Sequence, residues 1–220
     1  MQKHSAKIKE IFTSIQGEGT YIGQKHIFVR FCKCNLNCSY CDTDFKTNPK
    51  EYTAKELYDY LTDINCDTVS FTGGEPLLEV KFLKEFLKNY YSKLNKKIYL
   101  ETNGTLYREL KEVIEFTDIV AMDIKIESAT KSANQFEINE KFLEIASKKE
   151  CFIKVVFNNG IEDFEIKSVV DIAKKYNSLI VLQPEMPIKN LEFEKIFDKF
   201  YKQYKNIRLI PQVHKFLGVE

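Results

Sequence analysis

A short β-branched or aromatic run followed by an amphipathic, lysine-rich segment recurs along this chain, and that alternation constrains its fold more than any other feature. Seven runs read as strands, at 26–32, 68–72, 97–101, 119–124, 151–157, 179–182 and 207–210. Between them, apolar residues spaced three and four apart predict helices over 54–64, 80–94, 106–116, 137–149, 164–176 and 193–204. Thr53 followed by Glu56 forms a capping box that marks the start of the first helix. Strands that alternate with helices imply a parallel sheet covered by helices. Six or seven such units suit a partial barrel better than a closed eightfold one. The expected fold is therefore α/β, a partial (βα)6-type, TIM-like barrel with parallel strands.

At 220 residues the chain is long enough to bury one core, and it contains no repeat or low-complexity linker, so 1–220 reads as a single domain. Lys and Arg number 33 against 32 Asp and Glu, which leaves no global electrostatic case for nucleic acid or a membrane surface. The N-terminal residues lack the apolar core of a signal peptide, and no apolar stretch approaches membrane-spanning length. The expected location is the cytoplasm, where six cysteines read as thiols and metal ligands rather than disulfides.

Polar and glycine-containing motifs fall where the strands end: Thr72-Gly-Gly-Glu-Pro76, Glu101-Thr-Asn-Gly104, Asp123-Ile-Lys125 and Gln183-Pro184. Ligands of parallel α/β folds bind at the carboxyl ends of strands, so these motifs point to one shared site. The first strand is followed by Cys34-Asn-Leu-Asn-Cys38-Ser-Tyr-Cys41. Three closely spaced thiols suit a metal cluster better than a disulfide framework. A structural zinc site takes four protein ligands, and so does an ordinary iron–sulfur centre. A four-iron cubane held by three cysteines keeps one iron open for a substrate or cofactor. The alternative is a zinc knuckle with a remote fourth ligand among Cys32, Cys66 and Cys151, three cysteines otherwise expected to pack structurally.

With Tyr40 directly before the last cysteine, the CxxxCxxC run resembles the signature of the radical S-adenosylmethionine (SAM) superfamily. The resemblance implies a radical SAM core, with a [4Fe–4S] cluster on Cys34, Cys38 and Cys41. In that superfamily SAM chelates the open iron, and one electron splits its sulfonium to release a 5′-deoxyadenosyl radical. By the same resemblance Tyr40, Cys41 and Asp42 would contact the adenine, and Gly74 and Glu75 the methionyl amino group. Thr102, Asp123, Ile124 and Lys125 would hold the ribose and the methionine carboxylate, with further contacts from Gln183, Pro184, Glu185 and Met186. Two adjacent glycines would also let backbone carbonyls approach a ligand that a β-carbon would block.

Ser14-Ile-Gln-Gly-Glu-Gly19, ahead of the first of these strands, narrows the reaction. Together with Arg30, Cys41-Asp42-Thr43 and His214-Lys-Phe-Leu-Gly218, it resembles the 7-carboxy-7-deazaguanine synthase family of queuosine and deazapurine biosynthesis, over essentially the whole chain. The resemblance implies conversion of 6-carboxy-5,6,7,8-tetrahydropterin to 7-carboxy-7-deazaguanine, by radical ring contraction with loss of ammonia. It further implies regeneration of SAM, assistance by Mg²⁺, a flavodoxin or ferredoxin as electron donor, a homodimer, and no direct contact with nucleic acid. Ile15, Gln16, Gly17, Glu18, Arg30, Thr72, His214 and the carboxylate of Glu220 would then meet the pterin. Thr43 would offer Mg²⁺ a hard oxygen, and Arg30 can hold a carboxylate bidentately.

One strand end departs from that family. Asp123-Ile-Lys125 stands where many of these synthases have Ser-Pro-Lys, and it is similar to the Asp-x-Lys of enzymes that activate glycyl-radical enzymes. An activating enzyme is the alternative function, and a non-enzymatic iron–sulfur or zinc module is a third reading.

Overall fold

The computed structural model describes residues 4–41, 48–186 and 190–218. All seven expected strands form, and two further strands precede or interrupt them. In chain order they are β1 (Ser5–Ile15), β2 (Lys25–Phe31), β3 (Lys50–Thr53), β4 (Thr68–Gly73), β5 (Lys97–Thr102), β6 (Ile119–Asp123), β7 (Glu150–Phe157), β8 (Leu179–Pro184) and β9 (Ile207–Leu209). The helices are α1 (Ala54–Thr62), α2 (Val80–Leu94), α3 (Tyr107–Val113), α4 (Glu127–Thr130), α5 (Phe136–Ala146), α6 (Asp163–Tyr176), α7 (Phe193–Gln203) and α8 (Val213–Leu217).

The sheet runs β3-β1-β2-β4-β5-β6-β7-β8-β9. From β2 to β9 every neighbouring pair is parallel, which is the expected α/β partial barrel. On its other side β1 pairs antiparallel with β2 and β3, so the strand at Lys25–Phe31 is the second and not the first. Two local effects hide β1 and β3 in the sequence. A register shift between Ile8 and Glu10 puts the apolar alternation of β1 out of phase halfway along. β3 is a four-residue edge strand with two exposed charged residues, Lys50 and Glu51.

The capping box at Thr53 is present: its hydroxyl accepts from Glu56 N–H at 3.3 Å, while the Glu56 carboxylate accepts from Thr53 N–H at 2.8 Å. Left-handed Asn95 and Asn177 close α2 and α6. One face of the sheet buries Ile27, Val29, Phe31, Val69, Phe71, Leu100 and Met122 in a continuous core with Phe82, Phe86 and Phe142 of the helices. Its other, concave face carries a smaller apolar floor of Tyr99, Ile119, Ala121, Phe152 and Val181, against which Tyr21 packs. Polar side chains occupy this same face one layer further toward the carboxyl ends of the strands. No helix among the described residues is long and apolar enough to cross a membrane.

Candidate active site

At the carboxyl ends of the strands the concave face lines a cavity of about 590 Å³. Parallel register decides which side chains meet there. Arg30 pairs with Thr72 across β2 and β4, Asp123 with Lys154 across β6 and β7, and Val156 with Gln183 across β7 and β8. The chain between β1 and β2 and the segment after β9 close the cavity's flank, with Val213 N–H donating to Gly17 O at 2.9 Å. Their approach is tight: a β-carbon on Gly17 would lie 2.4 Å from His214 Nδ1.

The cysteine segment leaves β2 and folds over the ends of β4 and β5. Gly74 N–H donates to Phe31 O at 3.1 Å and Glu75 N–H to Lys33 O at 2.6 Å. A β-carbon on Gly74 would lie 2.0 Å from Lys33 O, so this glycine is required by the passage of the segment itself. Asn103 Nδ2 donates to Asn35 Oδ1 at 2.8 Å, and Asn35 Nδ2 to Thr105 Oγ1 at 2.9 Å. On the far side Ser39 donates through its N–H to Thr130 O at 3.0 Å and through its hydroxyl to Ala129 O at 2.8 Å.

Cys34, Cys38 and Cys41 are all free and all line the cavity. Leu36 N–H points at Cys34 Sγ from 3.5 Å. Burial raises the thiols of Cys34 and Cys38 above the ordinary cysteine range, so the two would lose their protons on binding iron. Among the described residues no three His, Cys, Asp or Glu side chains converge on one ion position. A cluster asks something different, since each thiolate binds its own iron, and a cavity-facing three-thiol donor set fits that demand. The candidate fourth zinc ligands do not line the cavity. Cys66 is buried with its thiol 3.1 Å from Lys25 O, and Cys151 sits in β7, where burial pushes its thiol up to about 12.

A chain of charged groups crosses the concave face. Lys125 Nζ donates to Asp123 Oδ2 at 2.7 Å and to the Tyr40 hydroxyl at 3.2 Å. Burial opposes the Lys125 ammonium, but Asp123 and the Tyr40 oxygen more than offset it and hold the group well above the usual lysine range. Lys154 Nζ lies 3.7 Å from Asp123 Oδ2 and 2.5 Å from Glu18 Oε2, and Gln212 Nε2 donates to Glu18 Oε1 at 2.7 Å. Burial pushes the Glu18 carboxyl up, yet Lys154 and these hydrogen bonds outweigh it, and the group settles at about 2. Beside this chain Glu101 accepts from Gln16 Nε2 at 2.7 Å and from the Thr72 hydroxyl at 2.8 Å. Arg30 stacks its guanidinium 5.3 Å from the Phe12 ring. Its Nε stands 3.0 Å from Glu10 Oε1, an ion pair without hydrogen-bond alignment. Asp123 Oδ1 and Gln183 Oε1 are buried acceptors without a protein partner.

The expected residues Ile15, Gln16, Gly17, Glu18, Arg30, Tyr40, Thr72, Gly74, Thr102, Asp123, Lys125, Gln183, Glu185, Met186 and His214 all line this cavity. Glu75, Ile124 and Pro184 do not. The Glu75 carboxylate turns inward and accepts from Leu77 N–H, Asn103 N–H and the Thr102 hydroxyl, fastening the end of β4 to the end of β5. Burial drives that carboxyl up to about 7 against the pull of those donors. Ile124 is wholly buried in the core, and Pro184 ends β8. Asp42, Thr43 and Glu220 lie outside the described residues. Sequence reasoning placed Glu101 in a strand-end motif without giving it a role, and it missed Lys154 and Gln212 as parts of the site. Lys154 carried a usable signal, since a lysine inside Phe152-Ile-Lys-Val-Val-Phe157 interrupts a strand that is otherwise apolar.

The sequence profile of the Radical SAM superfamily matches residues 28–192. A 7-carboxy-7-deazaguanine synthase of Geobacter sulfurreducens is 34% identical, over 99% of this chain and 99% of its own length. The one from Archaeoglobus fulgidus is 35% identical, over 97% of this chain and 99% of its own. Among solved structures, QueE from Escherichia coli shares the fold with a TM-score of 0.66 at 19% identity, covering 94% of both chains. SuiB of Streptococcus suis bound to S-adenosylmethionine aligns with a TM-score of 0.57 at 16% identity, over 82% of this chain and 48% of its own.

Proposed function

The chain belongs to the radical SAM superfamily and, within it, to the 7-carboxy-7-deazaguanine synthase family, and from that premise we propose that it contracts the ring of 6-carboxy-5,6,7,8-tetrahydropterin with loss of ammonia. As a radical SAM lyase it works with a [4Fe–4S] cluster and SAM. When bound, these supply a 5′-deoxyadenosyl radical able to take a hydrogen atom from the carbon bearing the substrate carboxylate. The observation that carries the reading is the meeting of Gln16, Glu18, Arg30, Thr72 and His214 with three free cysteines around one cavity.

The chain's own residues divide the work, as one domain over 1–220. Cys34, Cys38 and Cys41 would hold the cluster. Lys125 offers an ammonium to the methionine carboxylate, while Asp123, with an unpartnered oxygen, accepts from ribose hydroxyls. Gln183, also carrying a free acceptor, lies beside them, and Tyr40 flanks the adenine together with Asp42. Arg30, fixed between Phe12 and Glu10, meets the substrate carboxylate. Gln16, Glu18, Glu101 and Thr72 read the amide and amino edge of the pterin, and His214 lines the same pocket; a substrate contact from the Glu220 carboxylate is proposed with them. Thr43, outside the described residues, would offer Mg²⁺ a hydroxyl oxygen. A flavodoxin or ferredoxin supplies the electron, the active form is a cytoplasmic homodimer, and the product feeds deazapurine synthesis.

The test is anaerobic reconstitution with iron, sulfide and dithionite, then SAM with and without the carboxytetrahydropterin. Equal amounts of 7-carboxy-7-deazaguanine and ammonia, with turnover raised by Mg²⁺, are expected. SAM cleavage without that product would favour an activating enzyme, the reading that Asp123-Ile-Lys125 supports. Stoichiometric zinc and no cleavage would leave only a metal-binding module.

A further inference from the structure

Lys154 has no assigned part in the chemistry above, yet it is the most deeply buried charged residue lining the cavity. It sits mid-strand in β7 between buried Ile153 and Val155 and is 4% exposed. A buried ammonium costs several kcal/mol unless charge and hydrogen bonds offset it, so such a residue survives where something depends on it. Two carboxylates from different parts of the chain face it: Glu18 Oε2 at 2.5 Å, from the connection before β2, and Asp123 Oδ2 at 3.7 Å, its register partner on β6. Glu18 is further tied to Gln212, and Asp123 to Lys125. One continuous polar chain thus runs from the flank that carries Gln16 and His214 to the half that carries Tyr40 and the cysteines.

We propose that Lys154 is a positioning residue that keeps Glu18 a fixed carboxylate acceptor for the donor edge of the pterin and sets its spacing from the cofactor half through Asp123, given the substrate-facing role proposed above for Glu18. Glu18 faces Lys154 from β7 and His214 from α8. Asp123 from β6, together with Glu101 and Tyr99 from β5, face the same ammonium. With Lys154 in place the Glu18 carboxyl stands at about 2, although burial alone would raise it. Without the ammonium, burial favours the protonated acid against only the Gln212 hydrogen bond and His214, and that acid cannot accept two donors in the same way.

The measurement is the affinity of reconstituted, SAM-bound protein for 6-carboxypterin, by anaerobic calorimetry from about pH 6 to about pH 8.5. The pterin's own titration is common to every variant, so differences between variants are what count. Lys154→Met should bind about tenfold more weakly than wild type near the acid end and recover toward the alkaline end, while Lys154→Arg keeps the wild-type profile. Glu18→Gln should bind weakly at every pH. A Lys154→Met profile parallel to wild type, at equal or uniformly lower affinity, would overturn the proposal. Wild-type affinity in Glu18→Gln would instead remove the substrate-facing reading of Glu18, and the proposal with it. If Lys154→Met does not fold, a folded Glu18→Gln/Lys154→Met double variant supports the pairing, and an unfolded one assigns Lys154 to the core.

Discussion

Replacing Gly74 by alanine tests how the cysteine segment is held. The added β-carbon would stand 2.0 Å from Lys33 O and 2.4 Å from the Lys33 carbonyl carbon, with Cys34 N at 3.0 Å. Carbon and oxygen settle at roughly 3.5 Å, so the segment must retreat by more than about 1 Å. It cannot do so freely, because Gly74 N–H to Phe31 O and Glu75 N–H to Lys33 O bracket the clash on both sides. Losing or stretching those two bonds costs about 1 kcal/mol each, and forced overpacking adds about 1–3 kcal/mol. A destabilisation of about 3–5 kcal/mol follows, which for a domain of this size lowers Tm by about 6–20 °C. Because the atoms displaced adjoin Cys34, the same variant should also hold less iron after anaerobic reconstitution. Thermal unfolding of the metal-free protein and iron content of the reconstituted one are the two readouts. A variant with wild-type Tm and full iron content would refute the reasoning.

Three further outcomes are expected. Glu18, held at about 2 and hence below its unfolded value, contributes stability that is present above about pH 4.5 and lost as pH falls through about 2. Glu18→Gln should therefore be less stable than wild type by about 1–3 kcal/mol near neutrality, with the gap narrowing in acid urea titrations; a constant gap would refute the assignment. Glu75 has the opposite sign: raised to about 7, it contributes stability in full below about pH 4.5 that is lost as pH rises through about 7. Wild type should thus weaken relative to Glu75→Gln between those limits, and a pH-independent difference between them would count against it. Serine at Cys34, Cys38 or Cys41 should each abolish the visible absorbance and iron content of the reconstituted cluster with little change in Tm of the metal-free protein, whereas serine at Cys66 or Cys151 should leave iron content intact.

The parallel part of the fold was legible because each strand buries one face under helices and each helix repeats its apolar spacing, so period alone separates them. Where the physics is two-sided or short, the pattern failed. β1 carries Lys7, Lys9 and Glu10 on a strand whose alternation slips at a bulge, and only the pairing with β2 and β3 makes it regular. β3 derives its order from β1 and from the cap of α1 rather than from its own four residues. The glycine pair at the end of β4 was legible as a special position but not for the right neighbour: the close contact of Gly74 is with Lys33 of the cysteine segment.

The site shows the same division between local and long-range information. Motifs whose chemistry is contiguous, the three cysteines above all, declare themselves. Glu75 also belongs to a contiguous motif, yet its carboxylate is spent inside the protein on Thr102, Asn103 and Leu77, because the end of β4 must be fastened before a ligand can be placed there. Lys154 shows the converse. Its two carboxylates lie 136 residues before it and 31 residues before it, in the connection ahead of β2 and in β6, so no window of sequence contains the interaction. What sequence does contain is the cost, an ammonium in a run of buried apolar residues. Since burial of an unpaired charge is among the largest single penalties a fold can carry, an interrupted strand of this kind implies an acidic partner on a neighbouring strand or loop. Here Lys154 is shared between Glu18 and Asp123, so the spacing of those two carboxylates follows from where β7 registers against β6.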